Sequence, residues 1–189
     1  MVMASGASVR FGENKLLASF LGRPLICHTL EKIPRTLEKI VVVTRDCDVA
    51  KLAREAGLSP LLHTLPDIAD TIRLGLQGME EMDGCMFCVG DQPLCAAETM
   101  RRLIDAFGKN PGGIARASFH GQDGNPALFA GVFFEELRTL APGQSGGTVI
   151  QRHAEKVIRV EADYAWELMD ADTPKALVEL EQWAGEKIQ

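Results

Sequence analysis

Asp91 closes the apolar run Cys85-Met86-Phe87-Cys88-Val89-Gly90 and is followed by Gln92-Pro93-Leu94. A buried strand delivers a carboxylate in this way when it reaches the edge of a sheet and turns. A second feature lies near the start of the chain, in Gly6-Ala7-Ser8-Val9-Arg10-Phe11-Gly12-Glu13-Asn14-Lys15. Glycines and small residues there let backbone N–H groups close around an anion. Arg10 and Lys15 add cations suited to phosphate oxygens. An acid at a strand tip together with a basic glycine-rich loop suggests a magnesium nucleotide site, because Mg2+ takes carboxylate and phosphate oxygens. The bland alternatives are a turn or helix cap at Asp91 and a solvated, glycine-rich turn at 6–15. The loop is neither a Walker motif, since Glu13 follows Gly12, nor the dinucleotide G-x-G-x-x-G fingerprint.

The elements that must position these groups follow from hydrophobic patterning. Short β-branched or apolar runs alternate with longer amphipathic segments, which predicts an α/β domain with a mostly parallel sheet flanked by helices. Strands are expected at 1–4, 39–44, 59–63, 84–89, 112–117 and 157–160, with a short extended piece at 125–129. Helices are expected at 24–33 with Pro24 as first residue, 48–56 stopped by Gly57, 67–82, 96–107, 131–140, 145–153 and 174–183. The polar stretch His120-Gly121-Gln122-Asp123-Gly124-Asn125 reads either as a hairpin turn or as a substrate-facing loop.

Length and charge bound the function. The chain has 189 residues, enough for one domain with a substantial core. Its net charge of −6 argues against nucleic-acid binding. No apolar run approaches the roughly 18 residues that span a bilayer, and the start lacks the pattern of a signal peptide, so a cytoplasmic protein is expected. Five cysteines, an odd number, suit free thiols in a reducing compartment. Cys85 and Cys88 lie three apart in a strand and so point to opposite faces, which suits buried thiols better than a metal pair.

The run Ala4-Ser5-Gly6-Ala7-Ser8-Val9-Arg10-Phe11-Gly12-Glu13-Asn14-Lys15-Leu16-Leu17 resembles the opening signature of the MobA-like nucleotidyltransferases of molybdenum cofactor synthesis. It is most similar to the cytidylyltransferase branch, whose usual form is A-A-G-x-S-x-R-[FM]-G-x-x-K-L-L. Gly22-Arg23-Pro24-Leu25, Asp91-Gln92-Pro93-Leu94, Gly124-Asn125-Pro126-Ala127-Leu128-Phe129 and Asp170-Ala171-Asp172-Thr173-Pro174 match further family elements, in order. The resemblance implies a single three-layer, Rossmann-like domain over 1–189. It implies Mg2+-dependent transfer of CMP from CTP to molybdopterin, with release of pyrophosphate and a molybdenum hydroxylase as downstream partner.

In that reading Asp91 and Asp172 (or Asp170) hold the metal, and Arg10, Lys15 and Asp91 are catalytic. Ala4, Ser5 and Gly6 contact the base together with Asp70 and Thr71, and Asn125 and Pro126 face the acceptor. The chain departs from the pattern in two places. Asp70 stands where relatives carry serine, and a carboxylate accepts from the exocyclic amine of cytosine or of guanine. Gln144 stands where relatives carry an acid. The rival readings are GMP transfer to the same cofactor, nucleotidyl transfer to a sugar phosphate or other phosphorylated acceptor, and a non-catalytic cofactor-delivery chaperone.

Overall fold

The computed structural model describes residues 1–6, 11 and 14–186. Its main sheet has seven strands in the order β5-β4-β1-β6-β8-β7-β9. These are β1 (Val2–Ala4), β4 (Val41–Thr44), β5 (Ser59–Leu62), β6 (Gly84–Val89), β7 (Ile114–Phe119), β8 (Gln122–Ala130) and β9 (Val157–Glu161). Only β8 runs against the others. A separate ribbon pairs β2 (Ser19–Phe20) with β3 (Arg23–Pro24).

Helices cover both faces. On one face α1 (Leu25–Lys32), α2 (Cys47–Glu55), α4 (Ala97–Lys109) and α7 (Pro174–Glu186) pack Leu25, Val49, Leu103 and Leu180 against Val2, Val42, Met86 and Cys88. On the other, α3 (Ile68–Gly75), α5 (Phe134–Arg138) and α6 (Gly146–Arg152) pack Ile72, Leu137 and Val149 against Val43, Cys85 and Phe87. Each fully buried Leu, Ile or Val contributes about 1.5–3 kcal/mol through the hydrophobic effect. Cys85 and Cys88 fall in opposite clusters, as the strand period requires, and are free thiols. The expected three-layer α/β architecture is therefore the observed one, and no helix among the described residues is long and apolar enough to cross a membrane.

Several boundaries differ from expectation for identifiable reasons. Pro24 closes the small ribbon with ψ 133°, so it precedes α1 and the helix begins at Leu25. The same helix stops at Lys32 because Pro34 forces Ile33 into extended backbone. α3 ends at Gly75, and the chain then turns through Gly78 at φ +68°. The 131–140 segment divides into a 3-10 turn at Gly131–Phe133 followed by α5. β8 is longer than expected, since His120 (φ 48°) and Gly121 (φ 81°) form a two-residue turn that pairs Phe119 with Gln122. The hairpin reading of 120–121 is thus the observed one.

Candidate functional site

β1 and β6 lie side by side, with Met3 opposite Val89, and both end at the same sheet edge. The chain leaves β6 through Gly90, whose N–H donates to the Met3 carbonyl at 2.9 Å and whose carbonyl accepts from the buried Thr29 hydroxyl at 3.0 Å. A Cβ on Gly90 would lie 2.9 Å from Ile26 Cδ1 and 3.3 Å from the Met3 carbonyl oxygen, so any larger residue here would have to displace the Ile26 side chain. Asp91 is the next residue.

Lys15 opens a 3-10 turn over Lys15–Leu17. Asn14 caps this turn by accepting from Leu16 N–H, and its amide donates to Asp46 Oδ2 at 2.9 Å. Asp46 in turn caps α2 by accepting from Asp48 and Val49 N–H. Lys15 is therefore fixed from both sides, and its ammonium donates to Asp91 Oδ2 and, at 2.7 Å, to Asp172 Oδ1. Its side chain is 11% exposed, against 16% for Asp91 and 51% for Asp172. Burial works against the Lys15 charge, yet the adjoining Asp91 and Asp172 carboxylates outweigh it and raise the pKa above its ordinary value.

Asp172 reaches this point on a strap that runs from Glu167 to α7. Ala171 N–H donates to the Asp91 carbonyl at 2.9 Å. The buried Gln92 amide donates to the Leu168 carbonyl and to Asp170 Oδ1, both at 2.9 Å. Burial and the nearby Asp91 charge push the Asp170 carboxyl up to about 6, opposed by that Gln92 hydrogen bond. Glu167, fully buried, accepts from Ala96 N–H at 3.1 Å and from the Thr99 hydroxyl at 2.6 Å, and so caps α4 from a distance. Its loss leaves those donors unpaired in a closed site. Glu167→Ala is expected to cost about 2–4 kcal/mol, read as a fall in the urea midpoint, whereas Glu167→Gln keeps an acceptor oxygen and loses less. A loss below about 0.5 kcal/mol for the alanine variant contradicts the cap.

Ala4, Ser5, Gly6, Lys15, Thr71 and Asp91 line one cavity of about 310 Å³. Ser5 Oγ donates to the Val43 carbonyl at 3.1 Å and lies 2.8 Å from His63 Nε2. Burial, then the Arg45 charge, lowers the His63 pKa. Arg45 and Asp67 also line this cavity. Neither carries a local sequence signal; Arg45 follows β4 directly, and that position at the shared strand edge is the one clue.

Asp70 does not line the cavity. In α3 the cavity-lining residues are Ile68 and Thr71, beside the N-cap Asp67, while Asp70 pairs with Arg73 and its charge reaches His63, the partner of Ser5. Arg10 lies outside the described residues. Gln144 forms a local turn, its side-chain oxygen accepting from Ala141 N–H at 3.0 Å.

A second cavity of about 230 Å³ shares Met3, Ile68 and Val89 with the first, so the two adjoin along the sheet. Asn125 lines it, with Arg116 and Ser145. Pro126 is buried and does not. The pleat turns Asn125, Ala127 and Phe129 to the cavity face and sends Pro126 to the other.

The donor set suits a hard divalent cation. Carboxylate oxygens of Asp91 and Asp172 converge on one positive group at the mouth of a cavity, beside further oxygen donors in Asp170. Asp46, Cys47 and Asp48, the metal-capable cluster found among the described residues, lie at the start of α2, where Asp46 is already engaged as a cap.

The sequence profile of the MobA-like NTP transferase domain matches residues 1–157. A probable molybdenum cofactor guanylyltransferase of Pyrococcus horikoshii is 33% identical over 107 residues, which are 56% of this chain and 54% of that protein. The chain thus spans about half the length of the curated relatives it matches. Among solved structures, Rv0371c from Mycobacterium tuberculosis H37Rv superposes with a TM-score of 0.81 at 23% identity, covering 96% of each chain. That protein has also been crystallised with manganese. CMP:2-keto-3-deoxy-manno-octonic acid synthetase complexed with CTP superposes with a TM-score of 0.77 at 13% identity, covering 98% of this chain and 97% of that one. These likenesses establish the fold.

Proposed function

The chain belongs to the MobA-like NTP transferase domain family, and from that membership we propose that it transfers a nucleoside monophosphate from a nucleoside triphosphate to molybdopterin. One observation carries the reading: Lys15, Asp91 and Asp172, far apart in sequence, meet at the mouth of the cavity lined by Ala4, Ser5 and Gly6. The nucleotide occupies that cavity, and the acceptor occupies the adjoining one beside Asn125.

An oxygen of the acceptor phosphate attacks the α-phosphorus. The new P–O bond forms as the α–β bond breaks, and the electron pair leaves with pyrophosphate. A phosphate monoester is already ionised near neutral pH, so no general base is needed. The work is positioning and charge neutralisation. Lys15 moves from the carboxylates to the triphosphate and balances charge on the leaving pyrophosphate. Asp91 and Asp172 hold a divalent cation, Mg2+ by preference, which when bound neutralises triphosphate oxygens. Arg10 adds a further cation from the same loop. The dinucleotide product then passes to a molybdenum hydroxylase.

CTP is the first choice of donor, on the opening Ala4-Ser5-Gly6, since guanine-specific relatives tend to open with L-A-G-G. GTP is the second reading, favoured by the guanylyltransferase names of the curated relatives. Asp70 does not decide between them, because a carboxylate accepts from the exocyclic amine of cytosine or of guanine. The test is pyrophosphate release with molybdopterin and each of CTP, GTP, ATP and UTP. CTP is expected to exceed the others in kcat/KM by at least about tenfold. A GTP preference reverses the base assignment, and no release from any of the four overturns the transferase reading.

A further inference from the structure

Arg116 is the charged residue lining the second cavity, and no sequence motif pointed to it. Its Nε donates to the Gly124 carbonyl at 3.0 Å, and its Nη1 lies 3.4 Å from Asp123 Oδ2. Asp123 is already held more closely by Arg159, through Nε at 2.7 Å and Nη2 at 3.1 Å. One carboxylate therefore faces two guanidinium groups and leaves a positive charge in excess at the cavity wall. Arg116 Nη2 has no hydrogen-bond partner among the described residues.

The sheet register fixes how far this charge lies from the chemistry. Arg116 pairs with Ala127, and Ala127 with Phe87, so Arg116 stands two strands from β6, or about 10 Å. Asp91 lies four residues beyond Phe87, towards the sheet edge. The guanidinium leans towards that edge, because Gly124 and Asp123 precede Ala127 on the antiparallel β8. The separation between the Arg116 guanidinium and Asp91 is still on the order of 10 Å. A phosphate attacking beside Asp91 and Lys15 cannot also touch Arg116, so Arg116 must meet another part of the acceptor.

The intervening surface is apolar. Met3, Ile68 and Val89 carry its accessible area, whereas Phe87 and Phe129 are only 2% and 1% exposed and pack against Gly146. Such a surface suits the face of a flat ring, and a guanidinium at its end suits a ring edge rich in oxygen and nitrogen acceptors.

We propose that Arg116 is an acceptor-binding residue, which donates from Nη2 to the carbonyl-bearing edge of a pterin ring lying against Met3, Ile68 and Val89. It would thereby favour a pterin acceptor over a sugar phosphate, which has no such edge at that distance. This rests on reading the second cavity as the acceptor site.

The test compares wild type with Arg116→Met and Arg116→Lys in two measurements. The first is steady-state pyrophosphate release. Arg116→Met is expected to raise the molybdopterin KM by about tenfold or more while the nucleotide KM and the melting temperature hold, and Arg116→Lys is expected to recover part of the loss. An acceptor KM within twofold of wild type, or an equal rise in the nucleotide KM, overturns the proposal. The second is titration of 6-hydroxymethylpterin by its own fluorescence, without nucleotide. Wild type is expected to bind it, and Arg116→Met to bind about tenfold more weakly; equal affinity overturns the proposal. Arg116-dependent pterin binding with no pyrophosphate release would uphold this inference and sink the transferase reading. Release with an unchanged acceptor KM in Arg116→Met would do the reverse.

Discussion

Asp91→Asn is expected to lower kcat by about 10³-fold or more while leaving the fold in place. The amide keeps the size of the side chain but removes the charge that offsets a bound cation. The structural duties of this position belong to the backbone: the Asp91 carbonyl accepts from Ala171 N–H, and its neighbours Gly90 and Gln92 hold β1, α1 and the strap. None of these contacts needs the carboxylate, and the asparagine side-chain oxygen can still accept from Lys15, so the melting temperature should move by no more than about 3 °C, equivalent to about 1 kcal/mol in a domain of this size. Activity within tenfold of wild type would mean that this acid does not hold the metal.

The second large effect is at Lys15, where two readouts should move in opposite directions. Its ammonium lies between Asp91 and Asp172, where a divalent cation must bind, and it must also serve the triphosphate. Lys15→Met should therefore lower kcat by about 10²- to 10³-fold. The same substitution should raise the affinity of the nucleotide-free protein for Mn2+, by about tenfold, because the competing cation is gone and facing carboxylates remain. Without metal the variant should lose about 1–2 kcal/mol of stability from that repulsion, allowing for solvent screening at the half-exposed Asp172. Mn2+ should then raise its melting temperature more than it raises that of wild type. Isothermal titration and thermal unfolding read these effects. Weaker Mn2+ binding in Lys15→Met would contradict the competition.

Much of the fold was legible because its signals are local. The β-branched run before Thr44 and the apolar run before Asp91 could be little but buried strands, and Gly57 at φ +72° ends α2 where the sequence said it would. Asp91 stood out because an apolar run that stops at a carboxylate has few structural uses, whereas Asp172 was named only through the resemblance of Asp170-Ala171-Asp172-Thr173-Pro174 to a family element. What escaped depends on partners distant in sequence. Asn14 matters through Asp46, Glu167 through the start of α4, and Arg116 through its place two strands from β6. Helix phase decides which residues of α3 line the cavity, Ile68 and Thr71 and not Asp70, and the segment's sequence does not show that phase. Pro126 was misplaced by the strand period, since a motif names adjacent residues and a strand parts them.

The central claim is that Asp91, Asp172 and Lys15 mark where metal and triphosphate meet, over the turn that leaves β1. A crystal structure with Mn2+ and a non-hydrolysable CTP analogue tests it most directly, with manganese located by its anomalous signal. The account predicts the ion within about 2.3 Å of an Asp91 carboxylate oxygen, the triphosphate beside Gly6, and Lys15 turned from Asp172 onto a phosphate. Manganese bound instead at Asp46, Cys47 and Asp48, or a nucleotide elsewhere with Lys15 still bridging Asp91 and Asp172, would contradict it.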